Sequence, residues 1–269
     1  MAKRNPVGPM GAPPPENYER YFVPTIGKPL AHGLLRMAGL RPGERIVDVG
    51  CGTGIVTRLA AQEVGANGTA VGVDIDAGML AVARSVTPPA LGIDWRQASA
   101  EALPLKDASC DVAFCQMSLQ FMEDRLKALA EMHRVLMPGG RILLDLPGPV
   151  TPQFEALAES MARYITVEGK DFVERVFSLH APAAVEALLA NAGFRNVEVR
   201  AATRSLALPP PREFLWQYVS STPLAGPMSG ADSNARDAFE ADVMEAWEPF
   251  AQEDGMALNQ PMVFARAYK

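Results

Sequence analysis

The sequence predicts an α/β fold, a doubly wound and mainly parallel sheet with helical insertions. Three observations predict it. From residue 45 onward, apolar runs of strand length alternate with helical patterns, and that alternation demands parallel strands joined by right-handed crossovers. The run Ile46-Val47-Asp48-Val49 breaks into Gly50-Cys51-Gly52-Thr53-Gly54, with glycine at every second position. A buried strand reads this way when it enters a loop whose backbone must approach something closely. The helical pattern Ile55–Glu63 then begins at once.

Each element follows from its own pattern. Pro and Gly crowd residues 6–15, so residues 1–16 read as a flexible tail. Apolar residues from Tyr18 to Met37 recur at near-helical spacing, interrupted by Pro24 and Pro29, which predicts two short helices over residues 17–40. Strands are expected at about 45–49 and 70–74, separated by the turn Gly65-Ala66-Asn67-Gly68. A helix is expected over Ala77–Val86 and an alternating third strand over Ile93–Gln97. Asp111–Cys115 reads as a buried fourth strand, followed by a helix over Asp124–Leu136. Pro138-Gly139-Gly140 should stop that helix and open a fifth strand, Arg141–Asp145. A helix over 181–192 follows. Residues 17–269 read as a single domain with insertions at about 151–180 and 206–258, both with helical patterns. Insertions joining the carboxyl ends of strands tend to cover a ligand crevice, so both, with residues 17–40, are expected to form a helical lid.

Composition narrows the function. With 48% apolar and 21% charged residues, the chain of 269 residues is globular and can bury a large core. A net charge of −6, with no basic cluster, argues against a nucleic-acid partner. No apolar run reaches membrane-spanning length, and the N-terminus lacks a secretory segment. The three cysteines, at 51, 110 and 115, form no disulfide framework or metal spacing, so a cytoplasmic location is expected. Isolated histidines give no ligand set, and no metal is expected. Exposed aromatics of the lid offer a surface for homo-oligomers.

The glycine loop resembles the front half of a nucleotide-binding βαβ unit, but the spacing is G-x-G-x-G, and Ile55 stands outside it. A dinucleotide fingerprint would need a further glycine. A tight structural turn explains the same pattern. The second strand ends in Asp74, twenty residues past Gly54, where a carboxylate can take ribose hydroxyls. The competing role for Asp74 or Asp76 is to cap the next helix.

Four segments occur in order: Val47–Gly54, Gly72–Leu80, Ala98–Pro104 and Arg134–Arg141. With them the chain resembles the class I S-adenosylmethionine-dependent methyltransferases, in the ubiquinone/menaquinone-type small-molecule branch. The resemblance covers roughly residues 17–200. It implies a Rossmann-like sheet of seven strands, in the order 3-2-1-4-5-7-6 with the seventh antiparallel, in which Asn196–Thr203 fits the sixth strand and Pro261–Tyr268 the last, and S-adenosyl-L-methionine as cofactor. It also implies a site. Gly50, Cys51, Gly52 and Thr53 would meet the amino-acid tail, with Asp48 orienting the loop. Asp74 would take the ribose, and Ile75 would lie flat on adenine. Ser99 and Ala100 would meet the adenine edge, Ser99 being shorter and neutral where the family places an acid or amide. Gln116 would line the pocket beside the methyl group, its competing role being to satisfy a strand-end backbone group.

The expected chemistry is methyl transfer by in-line displacement to a small molecule. The chain aligns the reactants and excludes water. No residue is assigned as catalyst. The candidates are His180, more readily read as a helix-start residue; Gln120, in Leu119-Gln120-Phe121 where the family often carries Leu-His-His; and Tyr21, in the N-terminal helical stretch. His32 is a weaker one, and His133 belongs to a helix end. Aromatics in the insertions, among them Phe214, Trp216, Tyr218, Phe239, Trp247 and Phe250, tilt the acceptor toward a hydrophobic or aromatic metabolite, although at helical spacing they also read as core. The competing functions are a non-catalytic S-adenosylmethionine-binding protein and a nicotinamide-dependent oxidoreductase.

Overall fold

A computed structural model describes residues 14–269. The expected tail therefore lies outside the described residues, except for Pro14–Glu16, which belong to the short helix Pro14–Asn17. The chain divides into two compact units. One comprises the chain through Ile26, Val150–Val176 and Thr203–Pro261; the other comprises Gly27–Pro149, Phe177–Ala202 and Met262–Lys269.

The second of these is built on the sheet. Strands β1 (Arg45–Val49), β2 (Thr69–Asp74), β3 (Asp94–Gln97), β4 (Cys110–Gln116) and β5 (Leu136–Pro147) pair in parallel, and β8 (Gly255–Tyr268) is antiparallel to β5. The order is β3-β2-β1-β4-β5-β8-β6, with β6 at Arg195–Leu208. Two-residue periodicity sends alternate side chains of the central strands to opposite faces. Ile46, Val112, Phe114 and Leu143 pack with the helices Lys28–Ala38 and Ile55–Val64. Val47, Val49, Ala113, Cys115, Ile142 and Leu144 pack with the helices Arg125–Val135 and Pro182–Asn191. Strands buried on both faces explain the nearly continuous apolar runs.

Three expectations are corrected. The sheet has eight strands instead of seven: β7 (Ala251–Gln252) folds back onto the start of β8 through a two-residue acidic turn. The N-terminal stretch is helical without a break, because Pro24 sits in a π-helical segment, Tyr18–Gly27, and Pro29 in the first turn of Lys28–Ala38, where no backbone N–H is required of it. The segment Pro138-Gly139-Gly140 does not precede β5 but lies within it. The pairing of β4 with β5 shifts between Cys110 and Val112, and the surplus residues of β5 are accommodated as a bulge.

The other unit is mainly helical, with helices at Pro152–Ser160, Val167–Val176, Pro211–Ser221, Ala225–Gly230 and Ser233–Trp247. Its core is aromatic. Tyr218 contacts Phe22, Phe154 and Phe214, Phe214 contacts Trp247, and the Trp247 indole N–H donates to the Gln153 carbonyl at 2.8 Å. Phe214, Tyr218, Phe239 and Trp247 are all buried, so this core absorbs most of the aromatic residues noted in the sequence.

Candidate functional site

The site candidates converge where β1, β2 and β4 end. The turn after β1 holds Gly50, Gly52 and Gly54 at positive φ, of +69°, +55° and +86°, a region that costs side-chain-bearing residues about 1–2 kcal/mol. Gly50 is required twice over, because a Cβ there would overlap Ser118 Oγ and stand 2.7 Å from Ser118 Cβ. The Gly50 and Cys51 amides donate to the Val73 carbonyl at 2.8 and 3.1 Å, fastening the turn to β2.

Two carboxylates flank this loop in sequence and space, Asp48 bonded to the helix after it and Asp74 to the loop itself. Asp48 is buried at the end of β1, and its Oδ2 accepts from the amide (3.1 Å) and hydroxyl (2.6 Å) of Thr57. Because the N-cap, Gly54, has no side chain, Asp48 satisfies a first-turn donor of the helix Ile55–Val64 from a distance. Burial pushes its carboxyl up to about 7, against the two Thr57 hydrogen bonds that favour the ion. Asp74 Oδ2 accepts from the Gly52 amide at 2.7 Å, and its Oδ1 from the Asp76 amide at 2.9 Å. Burial raises its pKa as well. The Ile75 amide also bonds to this carboxylate, which keeps lone-pair capacity for an outside donor. Asp76 is the cap of the helix Ala77–Val86, accepting from Gly78 and Met79. The side chain between them, Ile75, is 71% exposed, an apolar surface beside an acid.

The remaining candidates are nearby in the chain. Gln97 donates to the Ile75 carbonyl at 3.1 Å, and the Ala98 amide to the Asp74 carbonyl at 3.0 Å, so the turn after β3 is tied to the turn after β2. Ser99 Oγ accepts from the Glu101 amide at 3.1 Å, and Ala100 follows in the same turn. Gln116 donates to the Gly27 carbonyl at 2.9 Å, which is the backbone-satisfying geometry, while its Oε1 is buried without a partner. Gln120 is also buried and donates to the Met117 carbonyl at 3.1 Å, again with an unpartnered Oε1. Met117, between them, is a non-glycine residue at φ +47°, its amide held by the carbonyl and side chain of Asp145. Strained backbone of this kind clusters at functional sites.

The other candidates belong to other elements. His180 is exposed, with Nδ1 2.8 Å from the Phe177 carbonyl, and His32 is exposed. His133 packs edge-on against Phe194, and burial lowers its pKa. Tyr21 belongs to the helical unit, with the Arg20 guanidinium 5.2 Å from its ring centroid. No group of three metal-ligating side chains occurs among the described residues.

Sequence reasoning missed Thr57, Ser118 and Trp95. Thr57 meets Asp48 and Ser118 meets Gly50 from positions with no motif of their own. Trp95 left a signal, since a glycine inside a strand, here Gly72 in β2, marks close approach by another group.

The arrangement suits a ligand with a polar, charged tail and a flat apolar end. A glycine cradle leaves room for a backbone-close group. Beside it, Thr53 Oγ1 and Asp48 Oδ1 are buried without a hydrogen-bond partner, an expensive state that a ligand donor or acceptor relieves. A methyltransferase-domain family model matches residues 47–144. The chain is 30% identical over 186 residues to a demethylmenaquinone methyltransferase of Staphylococcus aureus, across 65% of this chain and 77% of that protein. The YcgJ protein of Bacillus subtilis has the same fold at a TM-score of 0.60 and 18% identity, covering 89% of this chain and 97% of that one. So does phosphoethanolamine N-methyltransferase 2 of Haemonchus contortus, solved with phosphomonomethylethanolamine and S-adenosylhomocysteine. Its TM-score is 0.56 at 21% identity, covering 89% of this chain and 52% of that one.

Proposed function

The chain belongs to the class I S-adenosylmethionine-dependent methyltransferases, in the quinone-type branch, and from that premise we propose that it methylates a small hydrophobic or aromatic acceptor by in-line displacement. The observation that carries the acceptor class is the kinship with an enzyme named for a demethylmenaquinone. Neither the nicotinamide nor the non-catalytic reading is favoured, and Ile55 stands outside the glycine spacing.

S-Adenosylmethionine supplies an already activated methyl group on a positive sulfur. The residues have the following parts in this reading. Gly50, Cys51 and Gly52 give the methionyl tail a backbone-lined bed, and Thr53 Oγ1 and Asp48 Oδ1 offer it a hydroxyl and an acceptor. Asp74 receives the ribose hydroxyls on its free lone pairs while holding the loop through the Gly52 amide. Ile75, exposed beside it, covers one face of the adenine. Ser99 and Ala100 border the adenine edge. Gln116 and Gln120 keep their Nε2 atoms on backbone carbonyls, so their amide planes are fixed. An amide does not serve as a base near neutral pH, and both His32 and His180 are exposed. The acceptor in this reading is a nucleophile that is electron-rich already, such as a hydroquinone or phenol, and the protein orients it. The methyl–sulfur bond would break as the new bond to methyl forms, and the acceptor's proton would pass to water. Three buried free thiols suit a reducing compartment. No helix among the described residues is long and apolar enough to cross a membrane.

The test is S-adenosylhomocysteine release from S-adenosylmethionine with two acceptor panels, one of hydroquinones and phenols and one of polar amines. Turnover on the first panel is expected. Turnover confined to the amines would overturn the acceptor class.

A further inference from the structure

We infer that Trp95, on β3, is a positioning residue for the cofactor loop: its indole is the wedge against which the glycine turn is shaped. The inference rests on the S-adenosylmethionine reading. Trp95 pairs with Gly72 across the β2–β3 ladder. A Cβ on Gly72 would overlap the Trp95 benzo ring at Cζ3 and Cε3, and would stand 3.1 Å from Cys51 Sγ. A Cβ on Gly54 would overlap Cη2 of the same ring and lie 2.8 Å from Cζ3 and 3.2 Å from Cζ2. One six-membered ring therefore lies in van der Waals contact with the backbone of two glycines from different elements. One glycine is in β2; the other closes the loop and caps the helix Ile55–Val64.

This reassigns the third glycine of the motif. Beyond the positive φ they share, Gly50 has no room for a side chain because of Ser118, and Gly54 has none because of Trp95. Trp95 is held from its own side as well, through its carbonyl, which accepts from Arg84 Nη2 at 3.0 Å. The Cys51 sulfur faces the same Gly72 position as the ring, so the loop borders this packing at both Cys51 and Gly54. A tightly packed interior transmits the loss of such a group to what rests on it. Removing the ring leaves the loop unsupported on this side. The Asp48–Thr57 and Asp74–Gly52 bonds, with the Gly50 and Cys51 amides on the Val73 carbonyl, must then hold its backbone against the cofactor.

The consequence is specific. Trp95 touches the loop and no reacting group, so its loss weakens cofactor binding while turnover of the saturated enzyme survives. Calorimetric titration with S-adenosylhomocysteine and steady-state kinetics in S-adenosylmethionine test this on wild type, Trp95→Ala, Trp95→Phe and Trp95→Leu. Trp95→Ala should raise Kd and KM about tenfold with kcat within about threefold, and Trp95→Phe should restore most of the affinity. Gly72→Ala should weaken binding in the wild type but much less beside Trp95→Ala, since the clash is with the ring, a coupling read from a double-mutant cycle. If Trp95→Ala does not fold, Trp95→Leu carries the comparison. A folded variant lacking the ring that binds S-adenosylhomocysteine within about twofold of wild type overturns the inference. So does one that loses kcat with Kd unchanged. Wild type that fails to bind S-adenosylhomocysteine would instead sink the functional reading beneath it.

Discussion

Asp48→Asn should exchange a pH-dependent cost for a constant one, and the structure sets both magnitudes. In the wild type, burial pushes the carboxyl from its ordinary 3.8 up to about 7. The folded state therefore holds the proton more tightly than the unfolded chain. Its contribution is fully present below about pH 4 and is lost as pH rises toward 7, after which the stability is flat. A rise of that size corresponds to about 4 kcal/mol, as a ceiling. Asparagine does not titrate. Its carbonyl can accept from Thr57 as Oδ2 does now, but its NH2 then occupies the place of Oδ1, which is buried without a partner. An unsatisfied buried donor costs about 1–3 kcal/mol at every pH, a cost the protonated wild type shares through the hydroxyl it carries at Oδ1. The variant should come close to the wild type at pH 4.5 and surpass it at pH 8. Urea unfolding of both proteins at the two pH values measures the gap. A gap that changes by less than about 1 kcal/mol between them would refute the argument that desolvation dominates at this carboxyl.

Three further outcomes are expected. Asp74→Ala strips the acceptor from the Gly52 and Asp76 amides and should weaken S-adenosylhomocysteine binding by about a hundredfold, the size of a lost charged hydrogen-bonding group; calorimetry showing unchanged affinity would remove Asp74 from the site. Gly50→Ala should lose about 3 kcal/mol from left-handed strain plus overpacking on Ser118. Adding Ser118→Gly should return the packing part but not the strain, and thermal unfolding of both variants separates the two. Arg134→Met removes a guanidinium bonded to Glu131, to Asp107 and to the Leu103 and Leu105 carbonyls. Glu131 is held below its usual range chiefly by that arginine, so its contribution is present above about pH 4.5 and lost on acidification. The variant's deficit, about 2 kcal/mol at pH 7 for this partly exposed cluster, should shrink at pH 3. A constant deficit would place the cost in packing instead.

The alternation of strands and helices and the glycine loop after β1 were legible in the chain because they rest on local chemistry. Apolar runs, glycine at alternate places after β1 and an acid closing β2 each encode a backbone requirement within a few residues. The family resemblance joined them into one order. The tertiary structure decided what depends on residues distant in sequence. It showed that Gly54 and Gly72 make room for the same tryptophan from β3, and that Asp48 serves a helix start nine residues onward. It showed that Gln116 meets a carbonyl 89 residues earlier. It also showed that the aromatics of the insertions fill a core of their own. A glycine in a sequence declares that a side chain is unwelcome, and a buried acid that a donor is near, but neither names its partner. Only packing in three dimensions does, because the partner is fixed by where the strands lie side by side and not by spacing along the chain.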